Sequence, residues 1–150
     1  MFLSSTHQQS NSTEAEVASR LERWQKPLAA VLAIHGFAHL PGVIVALAAW
    51  SDGTSIEYLF GNWTISNSTV LLTAVGMWAA LAASFAAVAI AIGTGHRQGL
   101  RLLRIAVAAS LVACVVALPS AAIGAAINVA LLTWLVTLPA DANLANADQT

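Results

Sequence analysis

Charge is scarce in this chain: Asp, Glu, Lys and Arg make up 9% of its 150 residues, where a soluble domain carries roughly a quarter. With 58% hydrophobic residues, there is too little polar surface to cover the chain in water. The basic patch that nucleic-acid binding needs is missing, so nucleic acid is not an expected partner. There is one cysteine, Cys114, which excludes an intramolecular disulfide and dithiol redox chemistry. Cys114 sits inside an apolar run, where a small packing residue is favoured over a reactive thiol because hydrocarbon disfavours the thiolate. The N-terminal stretch lacks the positive start and early apolar core of a secretory signal. Met1 to Gln25 is polar almost throughout, so the first apolar run reads as a retained membrane anchor.

What the chain has instead is four long apolar runs, at about 28–50, 70–92, 100–118 and 121–138. The first, without a charge, is long enough at ~1.5 Å per residue to cross a ~30 Å hydrocarbon core with some tilt. The last two are separated only by Pro119 and Ser120. A single helix through both would be too long for any bilayer, and Pro at the break favours two helices in a tight hairpin. The expected fold is all-α: an antiparallel four-helix transmembrane bundle over 28–138. Polar tails at 1–27 and 139–150 flank it.

Orientation follows from the cations. All six, Arg20, Arg23, Lys26, Arg97, Arg101 and Arg104, precede the first run or lie in or just beyond the connection between the second and third. An even number of crossings puts these segments on one face, and the positive-inside rule makes that face cytoplasmic. The reading is a multi-pass protein of the cell inner membrane, embedded in the lipid bilayer with both termini cytoplasmic.

Helices in lipid associate through small residues and a few hydrogen bonds, so each span should turn such a stripe inward. The candidates are His35, His39, Gly42 and Ala46; Thr73, Gly76, Ala80, Ser84 and Ala87; Ala106, Ser110 and Cys114; and Ala121, Gly124, Asn128 and Leu132. The loop over 51–69 is aromatic, with Tyr58, Phe60 and Trp63, and Thr54 and Glu57 have capping-box spacing. These signals predict a short interfacial helix. Glu57, Tyr58 and Trp63 would form a lid over the outer mouth, although aromatic anchoring at the headgroups is the favoured role.

The segment Ile34-His35-Gly36-Phe37-Ala38-His39-Leu40-Pro41-Gly42 is the most informative. Two imidazoles four residues apart share one helix face, and Pro41 denies the Phe37 carbonyl its helical partner, so a kink is expected beside them. Polar groups at membrane depth are functional-site candidates. Metal ligation by His35 and His39 is disfavoured: the spans hold no Asp or Glu, and beside the two histidines and Met77 no third strong ligand is available. Haem held by two histidines would require a second copy of the chain. The favoured reading is neutral histidines bonded to neighbouring helices. Depth counting pairs His39 with Asn128, extended by Ser110 or Ser84, and the same polar core would suit a quinone carbonyl or another lipophile. A proton-coupled carrier would normally need an intramembrane carboxylate, which the spans lack.

The motif His-Gly-x-x-His-Leu-x-Gly at His35 to Gly42, Trp78 in the second span, and Ile123-Gly124 with Asn128 resemble a group of small, uncharacterised bacterial four-helix membrane proteins. That resemblance covers residues 28–138 and implies a fold and a topology but no activity. Where that family has an acidic and a basic residue before the glycine, this chain has Ser120 and Ala122. Size and layout are also similar to the DoxX-like proteins. The leading expectation is a non-enzymatic bundle that binds a lipophilic small molecule or a membrane partner near His35, His39 and Asn128, without a cofactor. The alternative is a membrane oxidoreductase dependent on haem, metal or quinone and using the His35/His39 pair. A third reading is a structural subunit of a larger membrane complex or homo-oligomer.

Overall fold

The computed structural model describes residues 23–138. The tail before residue 23 and the tail from 139 onward lie outside the described residues. The chain is helical, with α1 (Arg23–Asp52), α2 (Ser68–Gly93), α3 (Gly99–Val116) and α4 (Ala122–Thr137). The first three are long and apolar enough to cross a membrane. The fourth, apolar but of 16 residues, spans ~24 Å at ~1.5 Å per residue. Large apolar side chains stand exposed along the helices, among them Phe37, Ile90, Ile123 and Val136. Water would penalise such a surface and lipid does not; the protein is a membrane protein.

The kink expected at Pro41 is present. Residues 38 and 39 leave the α-helical pattern, and Leu40–Asp52 restarts with Pro41 in its first turn. The Ala38 amide is shared between the Ile34 and His35 carbonyls, both at 3.1 Å, and the His39 amide reaches back only three residues, to the Gly36 carbonyl at 3.1 Å. Pro41 has no N–H for the Phe37 carbonyl, so the tighter turn replaces the α pattern there.

Between α1 and α2 the expected interfacial helix is absent, and a β-hairpin stands in its place. β1 (Ile56–Tyr58) pairs antiparallel with β2 (Trp63–Ile65). Alternation along β1 explains the difference: Ile56 is half-buried, Glu57 exposed and Tyr58 buried, a period of two that a helix cannot satisfy, while β2 buries Ile65 alone. At the tip, Leu59 and Phe60 both adopt left-handed backbone, φ 50° and 57°, a costly conformation for residues with a Cβ. Their amides are fixed from outside, donating to the Val116 and Leu118 carbonyls at 3.0 and 2.9 Å. The tip thereby serves carbonyls freed at the end of α3.

Two apolar clusters form the interior. One, at the end where α2 turns into α3, gathers Leu32, Phe85, Ile92, Leu103, Val107 and Leu135; the other, beneath the hairpin, gathers Ala49, Tyr58, Leu71, Trp78, Leu81 and Ala117. The inward faces of α1 and α3 carry the expected stripes, with His35, His39, Ala46, Ala106, Ser110 and Cys114 buried and Gly42 half-buried; on α4 Asn128 is buried, while Ala121, Gly124 and Leu132 are half-buried. The stripe proposed for α2 faces outward, since Thr73, Gly76, Ala80, Ser84 and Ala87 are all exposed. Its inward face is bulky, and the reason lies in α1. Trp78 fits over Gly42, where an added Cβ would stand 2.7 Å from the indole, and Phe85 fits over Gly36, where a Cβ would stand 3.0 Å from the Phe85 Cβ. Large residues of one helix thus fill notches in the other.

This packing predicts opposite outcomes for two Gly→Ala changes. Gly42→Ala is expected to cost about 1–3 kcal/mol through overpacking, whereas Gly76→Ala, with open space around it, is expected to gain about 0.5–1 kcal/mol of helix stability. Thermal unfolding in detergent checks both; a loss for both variants would contradict the packing.

Candidate functional site

The polar side chains on the inward faces meet in one layer between the two apolar clusters. His35 comes from the helix before the break and His39 from the break itself, Ser110 from α3 and Asn128 from α4. His35 and His39 are each 4% exposed, and Ser110 and Asn128 0%. Hydrocarbon and apolar side chains offer no hydrogen bonds, so these groups must serve one another.

They do so in a chain. His35 Nε2 lies 3.1 Å from Asn128 Oδ1, Asn128 Nδ2 donates to Ser110 Oγ at 2.8 Å, and Ser110 Oγ lies 3.1 Å from His39 Nε2. Asn128 Nδ2 also reaches Cys114 Sγ at 3.6 Å. The rings stand edge to face, 5.2 Å apart. Trp78 stacks on His39 at 5.6 Å, and Phe85 meets His35 edge-on at 4.6 Å. Every ring orientation is therefore fixed from two sides, by a hydrogen bond and by an aromatic neighbour.

The connectivity departs from the expected pairing. His39 bonds Ser110, and it is His35, one turn away, that bonds Asn128. Counting residues along straight helices gives depth to within about one turn and says nothing of azimuth, and the break at 38–39 also turns His39 relative to His35. Ser84 takes no part: it is exposed, and its hydroxyl donates to the Ala80 carbonyl of its own helix at 2.7 Å. Met77 is also exposed.

Beside the polar layer opens a cavity of about 360 Å³, within the ~300–1,000 Å³ range of small-molecule sites. His35 and His39 line it together with Gly42, Trp78, Ala121 and Gly124. Ile56 and Tyr58 of the hairpin close one side. Of the three loop residues proposed as a lid, Tyr58 is buried against the cavity, while Glu57 and Trp63 are exposed and do not line it. His35 Nδ1 is buried without a hydrogen-bond partner. Among the described residues, no three of His, Cys, Asp and Glu converge; both Nε2 atoms are engaged within the protein, and neither Nδ1 has a hydrogen-bond partner among those residues.

No protein-family model, curated protein or solved structure matches this chain. The resemblance drawn from His35 to Gly42, Trp78 and Asn128 therefore rests on those motifs alone, and the site is read from its geometry.

Sequence reasoning missed the packing roles of Trp78 and Phe85. A signal for Trp78 was present: membrane tryptophans cluster at the interfaces, and this one lies in the middle of α2. The network predicts that Asn128→Ala, which strands His35 Nε2 and removes a donor to Ser110, lowers stability in detergent by about 1–2 kcal/mol. Ser84→Ala, which touches nothing in the layer, should leave the unfolding midpoint unchanged.

Proposed function

We propose that the protein is a four-span membrane protein that binds a lipophilic small molecule, without chemical conversion, in the cavity beside His35, His39 and Asn128. The observation that carries this reading is the cavity's construction: apolar and aromatic walls, with two imidazoles at one side whose Nδ1 atoms have no partner among the described residues. Such sites take their affinity from apolar contact and their orientation from a few convergent polar groups. Networks that hold the imidazoles from behind keep those groups in place when the cavity is empty, which lowers the ordering cost of binding.

In this reading the helices form an antiparallel four-helix bundle with both ends on the cytoplasmic side. Arg23, Lys26, Arg97, Arg101 and Arg104 gather at the end where α2 turns into α3, whereas the hairpin end carries only Asp52 and Glu57 among its charges. That asymmetry supports the cationic end as cytoplasmic. The hairpin then covers the outer end of the cavity.

Two measurements test these points. In a Cys114→Ala background, Ser66→Cys should react with an impermeant maleimide in intact cells and Gln98→Cys only after permeabilisation; equal labelling would contradict the topology. The apolar fluorophore N-phenylnaphthylamine should bind detergent-purified protein above the level of empty micelles, and Ala121→Phe, which fills the cavity, should reduce that binding at least tenfold. Equal binding by a folded Ala121→Phe variant would remove the cavity as the site.

A further inference from the structure

The hydrogen bonds behind the two imidazoles fix the character of the nitrogens left free. A neutral imidazole has one N–H and one lone pair. Asn128 Oδ1 only accepts, so His35 Nε2, 3.1 Å away, carries the hydrogen and His35 Nδ1 is a lone pair. Asn128 Nδ2 donates to Ser110 Oγ at 2.8 Å. The Ser110 hydroxyl hydrogen then goes to the stronger acceptor within reach, His39 Nε2 at 3.1 Å in preference to Cys114 Sγ at 4.0 Å. His39 Nδ1 is therefore an N–H. Turning the Asn128 amide over reverses each link and exchanges the two ends, so either sense of the chain leaves one free donor and one free acceptor.

His35 Nδ1 is buried and unpartnered, on a side chain that is only 4% exposed and lines the cavity. His39 lines it as well. The pair therefore calls for a group that can both give and receive a hydrogen bond.

We infer that the cavity takes a lipophilic molecule with a hydroxyl head, a phenol or an aliphatic alcohol, whose oxygen accepts from one imidazole and donates to the other. A carbonyl or ether head only accepts and leaves the lone-pair nitrogen unserved, and an ammonium head only donates. The rings stand edge to face with centroids 5.2 Å apart, which puts the two imidazoles side by side at the wall that meets the head group. The remaining walls, with Val45, Ile56, Trp78, Ile123 and Ile127, receive the apolar body. This assignment rests on the lipophile-binding reading of the same cavity and narrows it to one head group.

Isothermal titration of the full chain in detergent, with empty-micelle heats subtracted, tests it using four probes. Para-octylphenol gives and receives a hydrogen bond, para-octylanisole only receives, and para-octyltoluene has the phenol's shape and does neither; decanol places the hydroxyl on an aliphatic body. The phenol is expected to bind at least fivefold tighter than both the anisole and the toluene. Tight binding by decanol as well would support any lipophilic alcohol, and binding by the phenol alone an aromatic one. A His35→Phe variant should lose the preference while keeping toluene binding within about twofold; the wild-type comparison stands even if that variant does not fold. Equal affinity for phenol, anisole and toluene would overturn the hydroxyl assignment and leave lipophile binding intact. No binding by any probe would remove both.

Discussion

Four polar side chains enclosed between two apolar clusters constrain this molecule more than any other feature. His35, His39, Ser110 and Asn128 sit where neither lipid nor the neighbouring leucines and phenylalanines can hydrogen-bond to them. Each must find its partner in the protein, and the partners lie on α1, α3 and α4. Apolar packing in lipid discriminates weakly between one rotation of a helix and another. A rotation of α4 that withdrew Asn128 would strand His35 and Ser110 together, so the polar layer selects one arrangement out of many that pack comparably well.

The fourth helix in that arrangement, α2, is held differently. It brings no polar side chain to the layer and instead fills notches: Phe85 over Gly36 and Trp78 over Gly42. The two glycines alternate with the histidines in sequence, so α1 presents two small residues to α2 and two imidazoles to α3 and α4 within a little over two turns. The same aromatic rings lie against the imidazoles, which joins notch packing and hydrogen bonding in one structure. The break before Pro41 includes His39 and lets one helix serve both purposes.

Much of this was legible in the residues. Long apolar runs and their breaks located the helices to within a few residues, because solvent preference acts on whole segments. The inward faces of α1, α3 and α4 could be read from rare polar residues such as His35, Ser110 and Asn128. The face of α2 could not: alanine is so common there that a small-residue stripe can be drawn on several sides, and the true face is set by the glycines of another helix. The hairpin was hidden for a related reason. Its strands are three residues each, and its turn places Leu59 and Phe60 where glycine or asparagine is usual, a choice supported by the distant carbonyls of Val116 and Leu118. The His35–Asn128 pairing was one turn from the expected one, because depth is encoded in residue count and azimuth is not.

A cavity whose polar side is preset by a directional chain of hydrogen bonds is suited to recognising a head group by its donor and acceptor pattern, with little selection on the apolar body. That view depends on the two imidazoles being locked as opposite tautomers. Nitrogen NMR of the protein labelled with nitrogen-15 at histidine, in detergent and without added ligand, reads this directly. The account predicts one of His35 and His39 protonated at Nε2 and the other at Nδ1, each as a single unaveraged form; the same tautomer at both, or fast averaging between the two, would contradict it.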